Sequence, residues 1–328
     1  AAFDSRDPAD PRWQAWAQHA ALEQASPFHG LQWRALGPTV QGGRVVDVES
    51  IPGDPYGFYV AYASGGVWKT TNNGVAFEPL SDDLPTMITG DIAVDPNRPQ
   101  RLWLGSGEPN SSRSSYGGMG VFRSDDGGKT FAHLGLTDVD RISRIVVHPQ
   151  DGTRVCVAAI GALYSRGGRR GVFCTRDDGT TWTQVLKGEG DIGTIDLVMD
   201  PKRPDVMYAA TWERSRTAWN LAESGAGSGI WKTADGGATW TRLGGGLPQG
   251  AHIGRIGLTI SASSPDILYA SVDNWADVPA DAQDLGDRPL SPRRLKRMSK
   301  DEFLAQDPEE SRVSFATTIS TPRSMRRP

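Results

Sequence analysis

Apolar positions in this chain come in short runs rich in β-branched and aromatic residues: Phe58–Ala63, Arg101–Gly105, Arg154–Ile160, Val206–Thr211 and Ile267–Val272. Runs of this length between turn residues predict strands, and a sustained helical beat is nearly absent. A proline-bearing turn stands before each run: Pro52-Gly-Asp-Pro55, Asp95-Pro-Asn-Arg-Pro99, His148-Pro149, Asp200-Pro-Lys-Arg-Pro204 and Ser264-Pro265. The exceptions lie towards the ends. Trp13, Trp16 and Ala20 fall at helical spacing within Arg12–Glu23, which predicts a helix that braces the strands or meets a partner. Leu290–Leu304 predicts a short amphipathic helix.

A second pattern keeps the same beat. Thr70–Phe77, Ser124–Phe131, Thr175–Trp182 and Thr233–Trp240 align as Ser/Thr-x-Asp-x-Gly-x-Thr-aromatic, with Asn72 and Ala76 departing from it in the first copy. Their starts at 70, 124, 175 and 233 lie 54, 51 and 58 residues apart. Each unit then reads strand, Pro-rich turn, strand, loop, strand, octet, strand, which is one four-stranded propeller blade. The expected fold is an all-β propeller over 31–276, with about four to five blades and an incomplete ring. Segment 1–30 is a helical extension, and 277–328 a linker and helical tail. In the octet, Asp and Thr bond the turn's own backbone and Gly takes a conformation that a Cβ forbids. Asp126, Gly128, Asp177, Gly179, Asp235 and Gly237 are therefore read as structural, neither catalytic nor calcium-binding.

These octets resemble the Asp-box (BNR) repeats of sialidases, xyloglucanases and sortilins. The resemblance runs from about Leu31 to Trp275. Trp33-Arg-Ala-Leu-Gly-Pro38, Gly42-Gly-Arg-Val-Val-Asp47, Ala63-Ser-Gly-Gly-Val-Trp-Lys69 and Gly105-Ser-Gly-Glu108 are similar to the opening of large exported bacterial sortilin/xyloglucanase-like proteins. The resemblance implies rings of more blades than are present here, so the missing remainder of the propeller is an expected partner. It fades after about Glu310; read in the adjacent frame with suitable codons, Arg312–Pro322 resembles the relatives again, so a truncated or frameshifted end is one reading.

Composition narrows the function. Lys plus Arg is 35 against 39 Asp plus Glu, a net charge of -4, with no basic stripe for nucleic acid. No apolar run is long enough for membrane insertion. The start Ala1-Ala2-Phe3 is what a signal peptidase leaves, so a secreted or periplasmic protein is expected, although a trimmed start reads the same. Cys156 and Cys174 fall on neighbouring strands of one blade; two buried free thiols are expected, with a disulfide geometrically open. His19, His29, His133, His148 and His252 have no ligand spacing, and His148 takes the place of Asp in its turn. No metal or cofactor is expected.

Chemistry is expected on the loops opposite the octets, which join second to third strands. The first is tiny (Ser64-Gly-Gly66), and the second carries Glu108, Asn110, Arg113 and Tyr116. The third is basic, Tyr164–Arg170, and the fourth holds Trp212, Glu213, Arg214, Arg216 and Trp219. Aromatics beside arginines suit a glycan, a peptide or a protein surface. Asp47, Asp91, Arg144 and Asp196 recur where each innermost strand begins, and Arg255 joins them if one residue is inserted; these are read as lining a wet channel and pairing between blades. Sialidases grip a carboxylate with three arginines, for which Arg44, Arg144 and Arg255 are the matching candidates, with Arg44 off-register. Xyloglucanases place a catalytic Asp where this chain has Ala63, and their second lies in another propeller. The leading expectation is thus a non-catalytic ligand-binding propeller. The alternative is a glycoside hydrolase whose acid/base pair includes Glu108 or Glu213.

Overall fold

A computed structural model describes residues 10–31, 43–276 and 298–306. Four antiparallel sheets follow one another along the chain. The first comprises β1 (Val45–Ser50), β2 (Phe58–Tyr62), β3 (Gly66–Thr70) and β4 (Glu78–Pro79), and the second β5 (Thr89–Asp95), β6 (Arg98–Ser106), β7 (Val121–Ser124) and β8 (Ala132–His133). The third holds β9 (Ile142–Val147), β10 (Val155–Ala159), β11 (Gly171–Thr175) and β12 (Thr183–Lys187). The fourth is β13 (Ile192–Met199), β14 (Met207–Glu213), β17 (Gly229–Thr233) and β18 (Thr241–Arg242), interrupted by the small hairpin β15 (Ser215–Arg216) and β16 (Leu221–Ala222). A fifth sheet has two strands, β19 (Ile253–Ile260) and β20 (Leu268–Asn274). The first strands pack in order, β1 against β5, then β9, β13 and β19. This is the all-β propeller that the repeat predicts, with four complete blades and the first half of another.

Apolar layers lie between successive blades. Tyr59, Ala61 and Val67 meet Ile92, Leu102 and Phe122; Trp103 and Val121 meet Ile142, Val157 and Phe173. Cys156 and Val172 meet Leu197 and Ala209, and Trp212 and Ile230 meet Ile256 and Leu258. The octets close the third-to-fourth-strand turns as expected. In the second, Ser124 Oγ donates to Asp126 Oδ1 at 2.7 Å, Thr130 N to the same oxygen at 2.9 Å, and Thr130 Oγ1 to Oδ2 at 2.6 Å. Asp177 and Asp235 repeat the arrangement, whereas Asn72 keeps the bonds from Thr70 Oγ1 and Ala76 N and loses only the third, because Ala76 has no hydroxyl. Gly128 needs its positive φ of 94°, and a Cβ there would stand 2.5 Å from Leu80 of the preceding blade. His148 accepts from Gln150 N, as Asp95 accepts from Asn97 N and Asp200 from Lys202 N.

The first helix, α1 (Pro11–Ala25), is capped by Asp10 and starts on Pro11. It braces the second blade: Trp13 is buried with its ring 4.8 Å from His133, and Arg12 Nη1 donates to Gly118 O. The second, α2 (Lys300–Leu304), opens with a capping box from Ser299 and Glu302. The remainder of the C-terminal expectation falls outside the described residues. One expectation is corrected: Cys156 and Cys174 form a disulfide, because the β10–β11 register sets them directly opposite each other.

Candidate functional site

The charged column forms the ring's inner wall. A β-bulge precedes each column residue, between Val45 and Asp47, Thr89 and Asp91, and Thr194 and Asp196. The carboxylates then reach across to the next blade's innermost strand. Asp47 accepts from Ile92 N, Asp91 from Ile145 N at 2.6 Å, and Asp196 from Leu258 N at 2.8 Å. Where the third blade has Arg144 instead, Leu197 N is served by Asp196 of its own blade. Arg144 lies 3.0 Å from Asp196, 3.2 Å from Asp91 and 3.9 Å from Asp47. Asp91 foremost raises the affinity of Arg144 for its proton, while burial pushes the Asp91 carboxyl well above the usual range against the pull of Arg144. In the fifth blade the bulge falls between Ile253 and Ile256, so Gly257 takes the column position and Arg255 sits in the bulge. A cavity of about 160 Å³ occupies this end of the channel, lined by Asp91, Asn110, Arg144, Asp196 and Arg255 among others.

The β6–β7 loop, 107–120, crosses over this channel. Arg44 of the first blade holds Glu108 at both oxygens, and Arg255 of the fifth donates to Asn110 Oδ1 at 2.8 Å. From the fourth blade, Arg214 donates to Asn110 O, Arg216 to Ser111 O, and Glu223 accepts from Ser111 Oγ. From the third, Arg141 donates to Ser115 O and Tyr164 to Arg113 O. The loop is thus tied to every blade of the described ring. Burial pushes the Glu108 carboxyl upward, but the bonds from Arg44 and Asn110 outweigh it and hold the group below its ordinary value.

This geometry sorts the candidates named from the sequence. Glu108, Trp212 and Arg214, read there as open loop residues, are 0%, 3% and 1% exposed. Trp212 and Glu213 belong to strand β14; the Trp212 indole donates to Glu223 O, and Glu213 Oε2 accepts from Gly227 N. Arg214 and Arg255 both lie over the Trp212 ring, at 5.2 and 5.8 Å. Arg144 and Arg255 line one cavity, but Arg44, Arg144 and Arg255 have separate partners in Glu108, the aspartate column and Asn110. Arg113, Tyr116 and Trp219 stay exposed on the loop face. Ala63 is buried beneath its tiny loop, its N–H donating to Arg44 O.

Four aromatics line that face: Tyr116, Tyr164, Trp219 and Trp275, exposed by 57%, 51%, 86% and 57%. They stand on the second-to-third-strand side of blades two, three, four and five. Tyr164 and Trp275 were not singled out from the sequence; both follow a second strand closely, at the offset that marks this face.

No family model matches the chain. A curated xyloglucanase of Paenibacillus is 27% identical over 185 residues, covering 56% of this chain and 17% of that protein. An oligoxyloglucan-reducing end-specific xyloglucanase of Emericella nidulans is 24% identical over 217 residues, covering 61% and 24%. The chain therefore spans no more than about a quarter of these relatives' length. Among solved structures, an ancestral GH74 enzyme superposes with a TM-score of 0.58 at 22% identity, over 75% of this chain and 29% of the other. That likeness is one of fold.

Proposed function

We propose that this chain is part of a glycoside hydrolase-type protein acting on polysaccharide, and that its own contribution is to bind glycan across the loop face. The observation that carries this reading is the set Tyr116, Tyr164, Trp219 and Trp275, exposed on consecutive blades, with Arg113 exposed beside Tyr164. A sugar ring offers an apolar face to an aromatic and hydroxyls to its polar neighbours, and a repeating polymer matches a repeating platform. The curated relatives, named as xyloglucanases, turn the choice among glycan, peptide and protein ligands towards glycan. The sequence-based acid/base pair does not strengthen the reading, since Glu108 is enclosed and held ionised by Arg44. A disulfide fits an oxidising compartment and hence an extracytoplasmic location. Among the described residues no helix is long and apolar enough to cross a membrane. Strand β20 pairs no further strand among the described residues, and this edge is where a following part of the ring would add.

Affinity electrophoresis in gels cast with xyloglucan, mixed-linkage glucan or no polymer tests the reading. Retardation by a glucan that weakens at least tenfold in a Trp219→Ala/Trp275→Ala double variant supports it. Equal mobility in all gels, or retardation untouched by the double variant, overturns it.

A further inference from the structure

Beneath the crossing loop lies a group of guanidinium ions that the glycan reading does not use. Arg141, Arg170 and Arg214 are 4%, 1% and 1% exposed. Only Arg141 has a carboxylate partner among the described residues, the adjacent Asp140. Arg170 is satisfied by the carbonyls of Ile160, Ala162, Ser165 and Gly167, which neutralise no charge. Arg214 reaches one carbonyl, that of Asn110, and among the described residues its Nε and Nη2 have no acceptor, nor does Nε of Arg141. The nearby carboxylates are engaged elsewhere: Glu108 by Arg44, Asp191 by Arg166, and Glu213 by Gly227 N.

Two independent facts therefore coincide among the described residues: buried donors without acceptors on Arg214 and Arg141, and no paired carboxylate for the buried charges of Arg170 and Arg214. Water would answer the first and leave the second. Deprotonation is no escape, because arginine stays charged at neutral pH. Burial first, and then Arg141, Arg170 and Arg255, lower the affinity of Arg214 for its proton to about 9, still above neutrality. Buried charges are retained where a partner compensates them. We infer that Arg214 and Arg141 bind a small inorganic monoanion of the chloride type beneath the β6–β7 loop. Because the same two side chains hold Asn110 O and Ser115 O, the anion fastens that loop across the channel.

The test titrates chloride against gluconate at constant ionic strength and follows thermal melting of the whole chain. Wild type is expected to gain several degrees along a saturating curve, and Arg214→Met to lose the chloride response. Bromide-soaked crystals of wild type, which need no variant to fold, should show an anomalous peak within hydrogen-bond reach of Arg214 Nη2. Melting that follows ionic strength alone, alike in both proteins, overturns the inference. So does a bromide map with no peak at the site.

Discussion

Arg44 Nε meets Oε1 of Glu108 and Arg44 Nη2 meets Oε2, each at 2.7 Å, a two-pronged pair joining the first blade to the loop of the second. The carboxylate is fully enclosed, while the Arg44 side chain keeps 42% of its surface in water. Removing the guanidinium strands a buried charge, so Arg44→Ala should cost about 2 kcal/mol, less than for a wholly buried pair. Glu108 is held below its ordinary value of 4.5, so its contribution is present above that pH and lost as pH falls below it. Melting curves at pH 7 and pH 3.5 check this: wild type should lose the advantage in acid, and Arg44→Ala should have little to lose. Equal melting of the two proteins at pH 7 would show that the pair does not hold the loop.

A harder dependence is expected at Arg144, the cation that pairs with Asp47, Asp91 and Asp196. Arg144→Met leaves those carboxylates facing one another around the channel, at a cost of about 3 kcal/mol near pH 8. Burial already raises the carboxyls of Asp47 and Asp91, so lowering the pH protonates them and should shrink the deficit. Adding Asp91→Asn to Arg144→Met should recover part of the loss at pH 8. A deficit independent of pH and of Asp91 would assign Arg144 a packing role only.

Glu49 carries the opposite sign to Glu108. Burial first, then Asp47, lift its carboxyl from 4.5 to about 7. The folded protein therefore holds that proton more tightly than the unfolded chain. The resulting stability is complete below about pH 4.5 and is lost as pH rises through 7. Glu49→Gln keeps a neutral group at every pH and should stabilise the protein by about 2 kcal/mol at pH 8.5, allowing for partial exposure, with no effect at pH 4. Urea unfolding at the two pH values reads the difference directly. A Glu49→Gln variant no more stable than wild type at pH 8.5 would contradict it.

The blades were legible in the sequence because the octet repeats and each member has a local task. Asp126, Asp177 and Asp235 find their partners within four residues, so their roles need no tertiary knowledge. The crossing loop was not legible, because its partners come from far along the chain. Arg214 reaches Asn110 across 104 positions and Arg255 across 145. A loop rich in Glu, Asn, Arg and Tyr looks the same whether those groups face water or hold blades together. The column's register differs at one residue for a related reason: a bulge placed one position differently gives Gly257 the column position, while Arg255, in the bulge, still lines the channel cavity.

Strand register also decided the cysteines, and here the consequence for stability is direct. Cys156 and Cys174 stand opposite each other on β10 and β11, facing the layer formed with Leu197, Met207 and Ala209 of the next blade. The bridge closes a segment 18 residues apart in sequence, which by loop-closure entropy is worth about 3 kcal/mol. The octet turn and strand ladder beside it order much of the same segment independently, so the fold should survive its loss at lower stability. Cys156→Ala/Cys174→Ala and dithiothreitol-treated wild type should both melt several degrees below oxidised wild type. The double variant should be indifferent to reductant. Because both sulfurs lie in an apolar layer, reduction should be slow until the blade opens, and its rate should rise with urea as unfolding does. Thiol titration of the untreated protein without and with urea separates the cases: no reactive thiol in either condition means the bridge is formed, whereas two thiols released by urea alone would restore the free-thiol expectation.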